Sequence, residues 1–289
     1  MNKRSILFLL ILAIITISFA AVFVKWSEAP ATIISMYRMY FASILLLPFV
    51  IKKRGEFKRI SKKSWVLLAT SGIFLAAHFA LWFGSLKLTT VASSTIILAL
   101  QPIVALVGGF LVYKERTSYR TLILIGIAIF GVALVGWGDF GTDKAIIIGD
   151  ILSFLSVIAV VHYLLIGQSV VKKVSHWIYS FCVFFFAGVS LTIYNLLINV
   201  ELVGYGAREW GIFLLLAIFP TVAHVIFNLL LNYVNTTTIS MCVLGEPVGA
   251  TILAALLLNE QVSGLQIIGG LFALLGVFLF LMQRKYNVT

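Results

Sequence analysis

Acidic residues are scarce in this chain: ten Asp and Glu stand against 21 Lys and Arg in 289 residues, and charge of either sign reaches only 11%. A soluble domain carries about 25% charged residues, so a water-facing globule is excluded. Cysteine is almost absent. Cys182 and Cys242 both sit in apolar runs without CxxC or Cys/His spacing, which leaves no disulfide framework or metal site and reads as two small buried hydrophobes. No P-loop, GxSxG elbow or HExxH helix occurs. ATP drive and hydrolytic chemistry therefore have no visible machinery; no cofactor is expected, and the chain is not read as an enzyme. Low-complexity segments and any soluble domain longer than a loop are also missing.

What is present is apolar surface, in 62% of all residues. No interior of a protein this size hides so much, so the solvent is a bilayer. A membrane helix needs about 20 mostly apolar residues, and all backbone groups must be satisfied within it. Ten segments qualify: 5–25, 33–51, 64–85, 91–113, 120–138, 145–167, 177–199, 209–231, 236–258 and 264–282. The first follows "MNKRS" like a signal peptide, but its apolar run is too long and further spans follow at once, so it is read as a retained helix.

Basic residues set the expected orientation. With the N-terminus in the cytoplasm, sixteen Lys and Arg fall inside. They are Lys3, Arg4, seven in the basic loop 52–63 ("KKRGEFKRISKK"), Lys114, Arg116, Arg120, Lys172, Lys173, Arg284 and Lys285. Only Lys25, Lys87, Lys144 and Arg208 fall outside. The asymmetry places both termini in the cytoplasm. The surplus is then a topology signal with some attraction to anionic lipid, and nucleic acid is not an expected partner. Trp26, Trp65, Trp82, Trp137, Trp177 and Trp210 lie at or near span ends, where amphipathic rings prefer the interface.

A repeat organises the chain. At a shift of 145, "LQPIVALVGGFLVYKERTS" lies over "GEPVGATILAALLLNEQVS". Pro102 meets Pro247, Glu115 meets Glu260, Ser118 meets Ser263 and Gly131 meets Gly276. Apolar identities alone would mean little here; the Pro, Glu, Ser and Gly matches in one register carry the weight. The halves are 1–138 and 145–289. Each holds five spans, an odd number, so they are inverted. Inverted repeats build many secondary transporters, with the site near the midplane between them.

Ten spans in two five-span repeats resemble the EamA-type branch of the drug/metabolite transporter superfamily. So do the "EP" in span nine, a Glu closing spans four and nine, and the Arg in "SMYRMYFASILLLP". The resemblance covers essentially the whole chain. It implies a cavity lined by spans one to four and six to nine, with five and ten peripheral. It also implies efflux or exchange of small metabolites, such as amino acids or related compounds, across the cytoplasmic membrane.

Polar residues within the spans are the candidate site. Glu246 lies roughly 15 Å from the cytoplasmic end of span nine, where a charge costs about 2.5–3.5 kcal/mol. Its repeat mate is Gln101. A carboxylate there reads either as a substrate-ammonium or proton site, or as an Arg-paired or protonated group fixing helix packing. Pro102 and Pro247 read as kinks or hinges that free carbonyls, with Gly245 among small residues, including Gly249, Gly108 and Gly109, that admit close neighbours. Arg38 lies roughly 8 Å inside the outer face. It reads as a carboxylate clamp, as a gate ion pair with Glu246, or as a snorkelling cation. His78 and His224, near repeat mates, and His162 could relay protons or be satisfied core residues. Trp82 and Tyr37 could form an aromatic wall or pack in the belt. Asn228 and Asn232 could bind substrate or bridge helices. Glu115 and Glu260, at the water surface, read as loop or capping residues beside Ser118 and Ser263.

The expected function is secondary active export of a small metabolite, with protons as a second partner. A passive facilitator and a non-transporting membrane protein remain as alternatives. Substrate, direction, coupling and oligomeric state are not legible.

Overall fold

The computed structural model describes residues 1, 3–135, 143–258 and 262–283. The expectations for Trp137, Glu260, Arg284 and Lys285 lie outside the described residues. The described chain is all-α. In order come α1 (Lys3–Trp26), α2 (Ala31–Lys52), a 3₁₀ segment (Arg54–Arg59), α3 (Lys62–Leu88), α4 (Val91–Leu98), α5 (Gln101–Tyr113) and α6 (Tyr119–Val135). The second half follows with α7 (Lys144–Val170), α8 (His176–Leu197), α9 (Ala207–Leu230), α10 (Thr236–Val243), α11 (Glu246–Leu258) and α12 (Gly264–Gln283). Ten apolar segments result, because α4 with α5 and α10 with α11 are each one span in two pieces.

Local chemistry sets the boundaries. Ser61 Oγ accepts the Ser64 amide at 3.2 Å, and Asn235 Oδ1 accepts that of Thr238 at 3.2 Å. Ser118 caps α6 through the Thr121 amide at 3.2 Å. Ser263 and Gln266 satisfy each other's amides, at 3.2 and 2.8 Å, in a reciprocal box. Lys114 ends α5 in the left-handed region (φ 56°), and the Glu115 amide turns back to Gly109 O at 3.2 Å.

Packing follows the repeat. α1 lies against α9, and their mates α7 and α3 lie against each other; α2 pairs with its own mate α8, and α6 with α12. This is the contact pattern of a pseudo-twofold axis. The α6–α12 pair is close. A Cβ on Gly131 would lie 2.2 Å from Ala273 N, and one on Gly269 would lie 2.5 Å from Gly131 O. Small residues at such crossings let membrane helices gain dispersion contacts that lipid cannot supply.

Spans four and nine correct the expectation of continuous, proline-kinked helices. Span four breaks at Ala99–Leu100 and span nine at Leu244–Gly245, one step before Gln101-Pro102 and Glu246-Pro247. Each proline therefore sits in the first turn of a half-helix. There its missing N–H costs nothing, because that amide would be unpaired anyway. The breaks are closed by short turns: Leu100 N donates to Ile97 O at 3.0 Å and Gly245 N to Cys242 O at 3.0 Å. Helix α1 seals the second break. A Cβ on Gly249 would lie 2.2 Å from Ser18 Oγ, and one on Gly245 would lie 3.0 Å from Ile14.

The basic loop 52–63 is tied to the start of α8. Glu56 pairs with Lys53 at 3.4 Å and accepts the Ser175 amide at 3.0 Å. Burial raises the Glu56 carboxyl, but the Ser175 amide and Lys53 outweigh it and leave the group below its ordinary value.

Candidate functional site

The two breaks point Gln101 and Glu246 into one cavity at the centre of the bundle. Its lining comes from α1, α2, α3, both halves of spans four and nine, α7 and α9. Among the described residues, none of the lining belongs to α6, α8 or α12. Spans five and ten are thus peripheral, as the resemblance implied, whereas span seven contributes no lining residue. The cavity volume is about 20 Å³, room for about one water molecule.

Glu246 opens α11, where the unpaired amides of the first turn carry partial positive charge. A half-helix start is the least costly place in a span for a carboxylate, which accounts for Glu and Pro side by side. Its side chain is 2% exposed, and Oε1 is buried without a hydrogen-bond partner. Gln101 opens α5 in the same way, and its Nε2 donates to Ser240 Oγ at 3.1 Å.

Arg38 faces this end of the cavity from α2. It does not snorkel: it is 1% exposed, and its guanidinium carbon lies 3.6 Å from the Phe79 ring centroid and 5.7 Å from that of Phe83. Nε and Nη1 have no hydrogen-bond partner. Among the described residues no ion pair joins Arg38 to Glu246. The two side chains therefore line one buried chamber without an ion pair between them. A buried unpaired charge is costly, so the arrangement favours a bridging group between them.

The aromatic wall is built by α3, α7 and α9. His78 Nδ1 bonds Ser156 O at 3.0 Å, and its ring stacks with Trp82 at 6.0 Å between centroids. Trp82 Nε1 and both His224 ring nitrogens are buried without partners. Trp82 is a cavity residue, 2% exposed, and departs from the interfacial expectation. Trp26, Trp65, Trp177 and Trp210 are half-buried. Phe79 meets His224 edge-on at 5.3 Å.

Other candidates fall elsewhere. Both ends of the Asn228 amide are bonded to protein: Tyr163 OH donates to Oδ1 at 2.6 Å, and Nδ2 donates to Ser180 Oγ at 2.9 Å. It stands one layer behind the cavity and orients Tyr163, which lines it. Asn232 lies in the exposed turn after α9. His162 is exposed, stacks on Phe74 at 4.8 Å and bonds Ile158 O, away from the cavity. Tyr37 donates to Leu202 O at 2.6 Å and stacks on Phe213, also off the cavity. Gly245, Pro102 and Pro247 shape the breaks without lining the chamber.

Two further polar networks lie outside the lining, at opposite faces of the bundle. On the basic face, Glu115 Oε1 accepts Gln168 Nε2 at 2.7 Å, and Oε2 accepts Asn235 Nδ2. Gln168 Oε1 in turn takes the Thr236 amide at 2.7 Å and its hydroxyl at 2.8 Å. This latch joins the end of span four to α7 and α10, and Gly109 makes room for it, since a Cβ there would lie 3.1 Å from Glu115 Oε2. On the opposite face, Glu209 accepts Ser27 Oγ and the Glu28 amide, Lys87 donates to Ser27 O, and Arg208 pairs with Glu28 at 3.4 Å. Glu115 is therefore more than a loop residue, and Gln168, Asn235 and Glu209 were not singled out by sequence.

An all-α bundle of two repeats, with broken helices meeting at a charged central chamber, defines a membrane transporter. A family profile described as "EamA-like transporter family" matches residues 4–137 and again 147–282, and the chain belongs to that family. A transporter of Archaeoglobus fulgidus described as uncharacterized is 26% identical over 286 residues, covering 96% of this chain and 97% of the relative. The uncharacterized transporter YyaM of Bacillus subtilis is 24% identical over 250 residues, covering 83% and 81%. One solved crystal structure superposes with a TM-score of 0.77 at 17% identity over 96% of each chain, a likeness of fold alone.

Proposed function

We propose that the protein is a secondary active exporter of a small organic metabolite of the amino-acid type, working by alternating access in the cytoplasmic membrane with both termini inside. One observation carries the reading: Arg38 and Glu246, opposite in sign and with buried Nε, Nη1 and Oε1 atoms lacking hydrogen-bond partners, share one buried chamber at the breaks of two repeat-related helices. A molecule with an anionic and a cationic end satisfies both, its carboxylate on Arg38 and Trp82 and its amine on Glu246. The aromatic wall of Phe79, Trp82 and Tyr163 then meets its side chain.

The chamber supports moving gates over an open pore. Drug-sized ligands need about 300 Å³ or more, so a chamber of about 20 Å³ must widen before it admits one. We read the latch at Glu115 and the network at Glu209 as the two gates, each releasing in turn. The Lys and Arg asymmetry favours the cytoplasmic face for the latch.

Counterflow in reconstituted vesicles tests this. Vesicles preloaded with single amino acids and related metabolites should draw the same labelled compound transiently above equilibrium for at least one member. Saturable flux without counterflow for any member would favour a passive facilitator instead.

A further inference from the structure

A second polar pocket lies on the basic face, away from the chamber, where α6, α10 and α12 meet. Its volume is about 290 Å³, and Arg116, Ser118, Thr121, Asn235, Thr237 and Gln283 contribute to its lining. The first turns of both α6 and α10 border it; the Thr121, Thr236 and Thr238 amides are taken by Ser118, Gln168 and Asn235, so the two helix starts contribute mainly their partial positive charge. Thr237 is only 4% exposed, yet its hydroxyl has no hydrogen-bond partner among the described residues although it lines the pocket. Among the described residues, the charges next to the pocket in sequence are Lys114, Arg116 and Arg120 against the one carboxylate of Glu115. Both oxygens of Glu115 are engaged by Gln168 and Asn235 on the latch side. A hydroxyl donor, two helix starts and Arg116, with no competing free carboxylate among the described residues, together define an oxyanion site.

Its position says what kind of oxyanion. α6 and α12 form the edge of the bundle, and Leu122, Ile123, Phe278 and Met282 on them are exposed where a bilayer would contact them. Phe280 of α12 contributes to the lining. A lipid whose chains lie along this edge brings its headgroup to the pocket at the level of the basic loops.

We propose that this pocket binds the phosphate of an anionic membrane lipid. Arg116 supplies the charge and the Thr237 hydroxyl a hydrogen bond, beside the positive starts of α6 and α10. Asn235 belongs both to the pocket and to the latch, so the bound headgroup braces α10 against α6 and steadies the closed basic face.

The test is native mass spectrometry of the full chain in detergent, with phosphatidylglycerol, phosphatidylcholine or inorganic phosphate added. Phosphatidylglycerol should be retained and should raise Tm. Arg116→Gln should weaken retention about fivefold, and Thr237→Val should weaken it while leaving Tm without lipid unchanged. Lys58→Ala in the basic loop, which is remote from the pocket, should do neither. Equal retention of phosphatidylcholine, retention unchanged in both pocket variants, or stabilisation matched by inorganic phosphate alone would overturn the proposal.

Discussion

Glu246→Gln is expected to cut exchange by about 10–100-fold, the cost of losing a charge-assisted hydrogen bond, while the protein still folds. The substitution keeps the shape at the start of α11 and retains a group that can accept a hydrogen bond. What it removes is the negative charge that faces the substrate's amine. Purified variant should show an unchanged elution profile and a modestly lower Tm, because Arg38 loses its one opposite charge in the chamber. Wild-type exchange rates in Glu246→Gln would remove this residue from the site.

Arg38→Gln should lose more stability and as much transport. Its guanidinium stacks on Phe79, a contact worth about 2 kcal/mol when desolvated, and its loss leaves Glu246 buried without a countercharge. The penalty should stay below the about 3–5 kcal/mol of a broken direct pair, since no ion pair joins the two among the described residues. The double variant Arg38→Gln/Glu246→Gln separates structure from function. Its Tm should recover part of the way toward wild type, because neither uncompensated charge remains. Its exchange should stay lost, because neither end of a zwitterion finds its partner. Restored exchange in the double variant would mean that the charges hold helices rather than substrate.

Much of this architecture is legible in the sequence. Long apolar runs announce spans, and the odd number of spans per half fixes their inversion. Gln101 and Glu246 stood out because a shift of 145 superposed them one step before a matched proline. What periodicity could not show was the break. A proline reads alike whether it kinks a continuous helix or opens a new one, and only the turns at Ala99–Leu100 and Leu244–Gly245 decide. The same register held an unused signal: Phe79 and His224 are 145 apart and meet in the structure, as repeat mates facing the pseudo-twofold axis would. For Trp82 the sequence leaves wall and belt both open, because an amphipathic ring near a span end looks the same whether it faces lipid or the bundle interior; the structure puts it in the cavity. Asn228, Gln168 and Asn235 act through partners on other helices, Tyr163, Ser180, Thr236 and Glu115. Single-helix patterns carry no trace of such partners.

Access to the chamber is the most direct test of alternation. Val243 lines the cavity and makes none of the polar contacts proposed for substrate. The Val243→Cys variant, carrying Cys182→Ala and Cys242→Ala, can be exposed to a membrane-impermeant maleimide in sealed vesicles of either orientation. Labelling from both sides, with the ratio shifted by the compound found in the counterflow screen, is the predicted result. Protection from both sides, or labelling from one side only whatever compound is present, would contradict it.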